Sequence, residues 1–460
     1  MPGTFFGINI GLSGLQAAQI GQDVTGHNIA NAGTDGYSVQ AVDQKTAETW
    51  IGADTASAEP SSLGSGVVSR SITRARNQYL DSQVRNGLSE QSAQTTLNDN
   101  LKQVEAAYGE PSSHGLNNGL GTFFQNFTNL VSNPEDAGVR ATVVAGANQL
   151  VSQFHTLQER ISGVGKQVSD TISADVDTIN DYGKQIAGLN LTIRQSLVQG
   201  EPPNDLLDRR DLLVDKLSQI ANVNVVNRSD GTASVSIGTS SLVEGVTPST
   251  LSLTGPDSLT ARGDLTGGEL SGLVQAQTSI AGYQSDLNTL ASSLATQVNA
   301  IHKTGAGLDG TTGQDFFQFT PGNEADTLKV NPVIANDPGK LAAASVPAGG
   351  GAPPAGDSTV AVQLAALQNT TVIGGQTLQG FYQKSVSALG GQSAAAQTAT
   401  DSAGANVNQL QQQRASVSGV STDTEMVNML KYQRAYEASA KVIKTMDDMV
   451  NSLITDLGGR

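Results

Sequence analysis

The 460-residue chain contains no cysteine. That absence excludes disulfide staples, thiol catalysis and thiolate metal sites together. Charge is also scarce: Asp, Glu, Lys and Arg make up 15% of the residues, where ordinary soluble domains carry about 25%. What charge there is leans acidic, 26 basic against 42 acidic residues for a net −16. Nucleic acids and anionic bilayers are held by clustered Lys and Arg, which release condensed counterions. No such cluster occurs, so neither nucleic acid nor a membrane is an expected partner. No apolar run reaches the roughly 20 residues that would cross a bilayer. The N-terminus has no basic leading region, and Gly7, Asn9 and Gly11 interrupt its apolar residues, so it does not read as a cleavable signal peptide. Any export route keeps it. Aromatics stand at 4%, which leaves a surface of Ser, Thr, Gln and Asn suited to lateral packing.

What is present is helical periodicity. Ile8, Leu12, Leu15, Ile20 and Val24 form an apolar stripe that predicts a helix from about residue 8. It stops in "NIANAGTDGYSVQ" (28–40), where Asn, Gly, Thr and Asp supply helix-ending and turn chemistry, and a short extended piece follows from Tyr37. Helices are predicted over 77–108, around "FFQNFTNLVSN", and from Pro134 to about Val198; the character changes after "NDLLDRRDLLVDKLSQIA". Alternating segments on either side of Asp230-Gly231 predict a hairpin within a small β region. Helix returns over 269–302, 357–369 and 376–415. The last segment has the clearest pattern. Met429, Tyr436, Ile443, Val450 and Leu457 recur every seven residues, with Tyr432, Ser439, Met446 and Leu453 three after the first four; Asp423 is a candidate cap. This is the spacing of a coiled-coil seam.

Candidate chemistry is thin. Gly305, Gly307 and Gly310 spell the dinucleotide fingerprint, but that motif needs a strand before it and a helix after it, and here a helix ending at His302 comes before and "TTGQDFFQFTPG", which will not make a helix, comes after. "SGVGKQ" (162–167) lacks the first glycine and the metal-binding hydroxyl of a phosphate loop. The four histidines are far apart in sequence, with no partners at metal-ligand spacing, and no nucleophile elbow occurs. Arg262-Gly263-Asp264 matches an adhesion tripeptide, which keeps a secreted adhesin as an alternative of another class. The expectation is a non-enzyme with no catalytic residue, cofactor or metal, acting through packing.

The break at 28–40 resembles the N-terminal signature of bacterial flagellar rod, hook and hook-associated proteins. Further stretches resemble the hook-associated protein 1 family of hook–filament junction proteins: 133–161, 204–226, 268–305, the Phe-Phe after "GLDGTTGQD", and "GVSTDTEMVNMLKYQRAYEASAKVIKTMDDMVNSLI" at the end. Ser-Val-Gln after the Gly-Tyr departs from the basic residue that many members have. The resemblance implies a structural subunit of the flagellum, an adaptor between hook and filament that self-assembles into a ring; a hook or rod subunit is the alternative within the class. It implies an extracellular place at the junction, reached by type III export without signal cleavage. The implied partners are copies of itself, hook protein, hook-associated protein 3 as the second junction protein, and an export chaperone at the C-terminal helix.

The expected fold is mainly α with a small β insertion, in discontinuous domains built from both termini: an inner coiled-coil-like domain (1–60 with 416–460), a helical bundle (61–221 with 269–415) and a small β domain (222–268). The expected functional residues are the turn motif (Asn28, Asn31, Gly33, Thr34, Gly36, Tyr37), with Tyr37 pinning the bend, the N-terminal stripe, and the assembly and chaperone-binding face of the last helix. Both terminal stripes are expected to lack a full partner, and to be disordered, until assembly.

Overall fold

The computed structural model describes residues 6–47, 64–254 and 258–458. The fold is mainly α with a few small antiparallel sheets. Its long helices are α1 (Phe6–Ala30), α2 (Gln78–Tyr108), α3 (Leu116–Ser132), α4 (Ala137–Gln199), α5 (Asn204–Ile220), α6 (Glu269–His302), α10 (Leu378–Ser418) and α11 (Thr422–Gly458). Short helices α7 (Glu324–Thr327), α8 (Pro332–Asn336) and α9 (Thr359–Ala366) lie between α6 and α10. Cα packing divides the chain into two units where the sequence suggests three parts. A terminal unit holds 1–91, 176–268 and 403–460; a central unit holds 92–175 and 269–402.

In the terminal unit, β1 (Gln40–Thr46) pairs antiparallel with β2 (Val67–Arg74), with a register shift between Asp43 and Gln44. The extended piece after Tyr37 is therefore one arm of a hairpin whose other arm periodicity does not single out. A second sheet takes the order β3 (Val223–Asn227), β4 (Ala233–Ile237), β5 (Ser240–Glu244), β6 (Thr247–Pro248). Gly231, at φ +82°, closes the turn between β3 and β4, where the Asp-Gly pair predicts it. This sheet packs on α4. The Asn190 amide donates to the carbonyls of Ala233 and Gly245 at 2.8 and 2.6 Å, and Leu242 lies over Gly183.

The central unit is built around phenylalanine. Phe123, Phe124 and Phe127 of α3 are fully buried with Phe316 and Phe317, ring centroids 4.7–6.1 Å apart. His302, at the end of α6, joins them. Its Nε2 accepts from the Ala342 N–H at 2.9 Å, which leaves Nδ1 to donate to the Gln314 carbonyl at 2.8 Å. Burial pushes this imidazole down to about 4. Small ladders join β7 (Gly305–Ala306) to β10 (Ala344–Ser345), and β8 (Phe317–Gln318) to β9 (Lys329–Val330). Among the described residues no helix is long and apolar enough to cross a membrane.

Candidate assembly site

The two terminal helices lie antiparallel against each other within the one chain. The face that α1 turns to α11 is not its Ile/Leu stripe. It is a run of small residues, Gly7, Gly11, Gly14, Ala18 and Gly21, continued by Thr25 and Asn28, at alternating steps of four and three. A β-carbon added at Gly7 would meet Met446 at 2.7 Å, one at Gly11 would meet Ile443 Cγ1 at 2.7 Å, and one at Gly21 would meet the Tyr432 ring at 2.5 Å. The glycines thus form the holes, and the heptad residues of α11 are the knobs. For the α11 stripe the expected lack of a partner is corrected here, because α1 of the same chain supplies one.

The named stripes distribute accordingly. On α1, Val24 is buried, Ile8, Leu15 and Ile20 are half-buried, and Leu12 is exposed. On α11, Met429, Tyr432, Ile443, Met446 and Val450 are half-buried in or beside the seam, while Tyr436 and Leu453 are exposed. The side chain of Leu457 lies outside the described residues. Ser421, and not Asp423, caps α11: its hydroxyl accepts from the Thr424 N–H at 3.4 Å. Apolar side chains remain uncovered in two groups, Met426, Val427 and Leu430 in the first turns, and Val442, Met449 and Leu453 further along; Val427 is 65% exposed.

Asn28 closes the seam and opens the turn. Its side chain is 1% exposed and uses all four of its hydrogen-bonding positions. Nδ2 donates to the Gln40 carbonyl and to Glu425 Oε2 of α11, both at 2.9 Å. Oδ1 accepts from the Tyr37 hydroxyl at 2.7 Å and from the Gln40 N–H at 3.0 Å. One amide therefore ties α1, the turn, β1 and α11 together. Tyr37 is half-buried, edge-on to His27 with ring centroids 5.5 Å apart. Burial, with the carboxylates of Asp205, Asp208 and Glu425 behind it, pushes the phenol well above its ordinary value. Within the turn, Asn31 Nδ2 donates to the His27 carbonyl at 3.0 Å, and the Thr34 hydroxyl donates to Asn31 Oδ1 at 3.2 Å. Gly36, at φ +78°, passes under the Leu212 side chain, whereas Gly33 faces open space.

The turn rests on α5, whose carboxylates recur at helical spacing. Asp208 accepts from the Ser38 N–H and hydroxyl at 3.0 and 2.7 Å, and pairs with Arg74 at 2.6 Å. Asp211 pairs with Arg74 at 3.0 Å, and Asp215 takes Arg85 at 2.7 Å and Arg414 at 2.6 Å. Burial works against the Asp211 charge, yet Arg74, Arg76, Arg85 and Arg210 hold its carboxyl below the usual aspartate value. This lattice joins β1, β2, α2, α5 and α10, and its arginines were not signalled in the sequence. What could be seen is the spacing of Asp205, Asp208, Asp211 and Asp215 on one face of "NDLLDRRDLLVDKL".

The other motifs acquire structural explanations. The Asp264 carboxylate is buried and accepts from Thr239 N–H, Thr239 Oγ1 and Ser240 Oγ at 2.7, 2.9 and 2.6 Å, so it is not free for a receptor. In the 305–310 run, Gly307 lies against the backbone of Gly339 and Lys340, and a β-bridge follows instead of a helix. Residues 162–167 lie inside α4.

Comparison with known proteins places these segments among flagellar axial proteins. Residues 101–317 match the model of the flagellar hook-associated protein FlgK helical domain. Residues 8–37, which hold α1 and the turn, match the flagella basal body rod protein model, and 411–456 match the flagellar basal body rod FlgEFG protein C-terminal model. The chain is 27% identical to flagellar hook-associated protein 1 of Bacillus subtilis, covering 100% of this chain and 99% of that one. It is 28% identical to the Salmonella typhimurium protein of the same name, covering 97% and 99%. That alignment runs over 553 positions, so the Salmonella protein carries residues that this chain lacks. Its fold is similar to that of the flagellar hook junction protein FlgK from Burkholderia pseudomallei, with a TM-score of 0.65 at 20% identity over 73% of this chain and 100% of that one.

Proposed function

The chain belongs to the flagellar hook-associated protein 1 family, and from that premise we propose that it is the adaptor subunit where hook meets filament, assembling side by side into a ring through α1 and α11. Its role in the flagellum is structural. The observation that carries the assembly reading is the uncovered apolar surface on the terminal helices: Leu12 on α1, with Met426, Val427, Leu430, Val442, Met449 and Leu453 on α11. Apolar groups that one chain leaves in water are the ones a neighbouring copy gains by covering, at about 25 cal/mol per Å². In this reading 1–60 with 416–460 form the inner part, 61–221 with 269–415 the bundle, and 222–268 the small β part. The ring sits on hook protein and receives hook-associated protein 3 above, after extracellular export with the N-terminus retained and an export chaperone on the C-terminal helix.

A hook or rod subunit is the second reading, supported by the rod-protein models that match both ends. The match of 101–317 to the hook-associated helical domain favours the junction. The experiment is binding of purified chain to isolated hook ends, with Val427→Lys and Met449→Asp as variants at exposed positions. Unchanged melting with lost binding is the expected result. Unchanged binding would remove the terminal helices from the assembly surface.

A further inference from the structure

A cleft of about 500 Å³ opens in the terminal unit beside β3. Five arginines line it, Arg74, Arg76, Arg85, Arg210 and Arg228, against two carboxylates, Asp81 and Asp211. Most of these cations have acidic partners: Arg74, Arg76 and Arg85 in the lattice above, and Arg228 with Glu244. Arg210 does not. It is 4% exposed, and among the described residues it donates to neutral oxygens, Asn190 Oδ1 at 3.2 Å, the Gly231 carbonyl at 2.8 Å and Asn227 Oδ1 at 3.4 Å. Its Nε, like that of Arg76, is buried without a hydrogen-bond acceptor among the described residues. Burial, with the Arg74 and Arg85 cations nearby, outweighs the attraction of Asp211, so this guanidinium is costly to keep charged. A second observation concerns the backbone. Among the described residues β3 is an edge strand, paired with β4 alone, and Val223, Asn224, Val225 and Asn227 line the same cleft. A third is Tyr79, on the same wall and 72% exposed; tyrosine beside arginine is the composition of interface hot spots.

We propose that this cleft is a docking site for an extended acidic segment of a partner protein, added as an outer strand on β3 with its carboxylates set against Arg210, Arg76 and Arg228. The open edge supplies main-chain affinity and the arginines select the side chains. A free anion would use the arginines but not the edge or Tyr79. A long polyanion would meet the −16 charge of the chain as a whole, whereas a short strand feels only the local field.

The test uses the full chain and a fluorescein-labelled 12-residue peptide of alternating Glu and Thr, read by anisotropy. The acidic peptide should bind, and the same peptide with Lys for Glu should not. Arg228→Glu combined with Tyr79→Ala should weaken binding at least tenfold. A version of the peptide with alternate residues replaced by proline should bind the wild-type chain at least tenfold more weakly. This last comparison decides the matter if the double variant misfolds. Equal binding of the proline peptide, or full displacement by millimolar inorganic phosphate, would reduce the cleft to a simple anion pocket and overturn the proposal. A dimer of the unliganded chain that Arg228→Glu dissolves would give the face to a second copy and overturn it as well.

Discussion

Asn28→Asp is an isosteric change at the point where four segments meet, and the structure gives its cost. The amide nitrogen that donates to the Gln40 carbonyl and to Glu425 Oε2, both at 2.9 Å, becomes an oxygen facing two oxygens. Losing one neutral donation and one to a carboxylate costs about 2–4.5 kcal/mol. The remaining effect is two carboxylates in hydrogen-bond range at a site where Asn28 is 1% and Glu425 5% exposed. Like charges that close do not both ionise, so the native pair retains a proton that the unfolded chain releases. The new carboxyl thus has its native pKa raised, and whatever stability protonation restores is present at low pH and lost as pH rises. The expected deficit is about 3–5 kcal/mol at pH 8 and clearly smaller at pH 4.5. Hydrogen exchange over 6–30 and 425–446 reads the opening of α1 from α11 locally. A deficit below about 1 kcal/mol at pH 8, about half the least that the two lost donations should cost, would refute the reasoning. So would one that does not change with pH.

Gly21→Ala ordinarily stabilises a helix by about 1 kcal/mol, but here the new methyl meets the Tyr432 ring at 2.5 Å. Overpacking should reverse the sign to a net loss of about 1–2 kcal/mol, and a Tyr432→Ala background should restore the gain in a double-mutant melt. Ile443→Asp removes a half-buried knob from Gly11, so the isolated chain should lose about 2 kcal/mol around the seam; exchange protection equal to wild type would mean that the helices part in the free subunit. Tyr37→Phe gives up the 2.7 Å bond to Asn28, for about 1 kcal/mol at neutral pH. Because the Tyr37 pKa is raised, its share of stability is present below pH 10 and declines above, and urea midpoints at pH 9 and 11 should converge for Phe and Tyr. For His302, pushed down to about 4 by burial, the sign is opposite: its contribution is full above about pH 6.5 and lost toward pH 4, about 3 kcal/mol in all. Asp175, pushed up to about 7 by burial and Glu269, runs the other way, so the measurement is the difference in midpoint between His302→Gln and wild type across that window, which should shrink as pH falls.

The helices were legible wherever apolar residues recur, and α4, α6 and α11 begin and end within a few residues of their sequence-based bounds. The partner of α11 was not, for a physical reason. Apolar periodicity weighs Ile and Leu, whereas the face of α1 in the seam is made of glycine and alanine, whose value is the space they leave. The readable signal was the 4–3 recurrence of Gly7, Gly11, Gly14, Ala18 and Gly21 itself. The turn motif was visible as a break, but not the role of Asn28, because Gln40 and Glu425 lie 12 and 397 residues away. The arginines that face α5 come from three other segments, and no local pattern relates Arg74 and Arg85 to Arg414. Phe316 and Phe317, conspicuous in the sequence, turned out to be core.

Electron microscopy of flagella from a strain lacking this chain tests the central claim most directly. The junction account predicts hooks of normal length with no filaments attached, restored by the wild-type chain. Cells without hooks would assign the chain to the hook or rod instead, and normal flagella would contradict a structural role at the junction altogether.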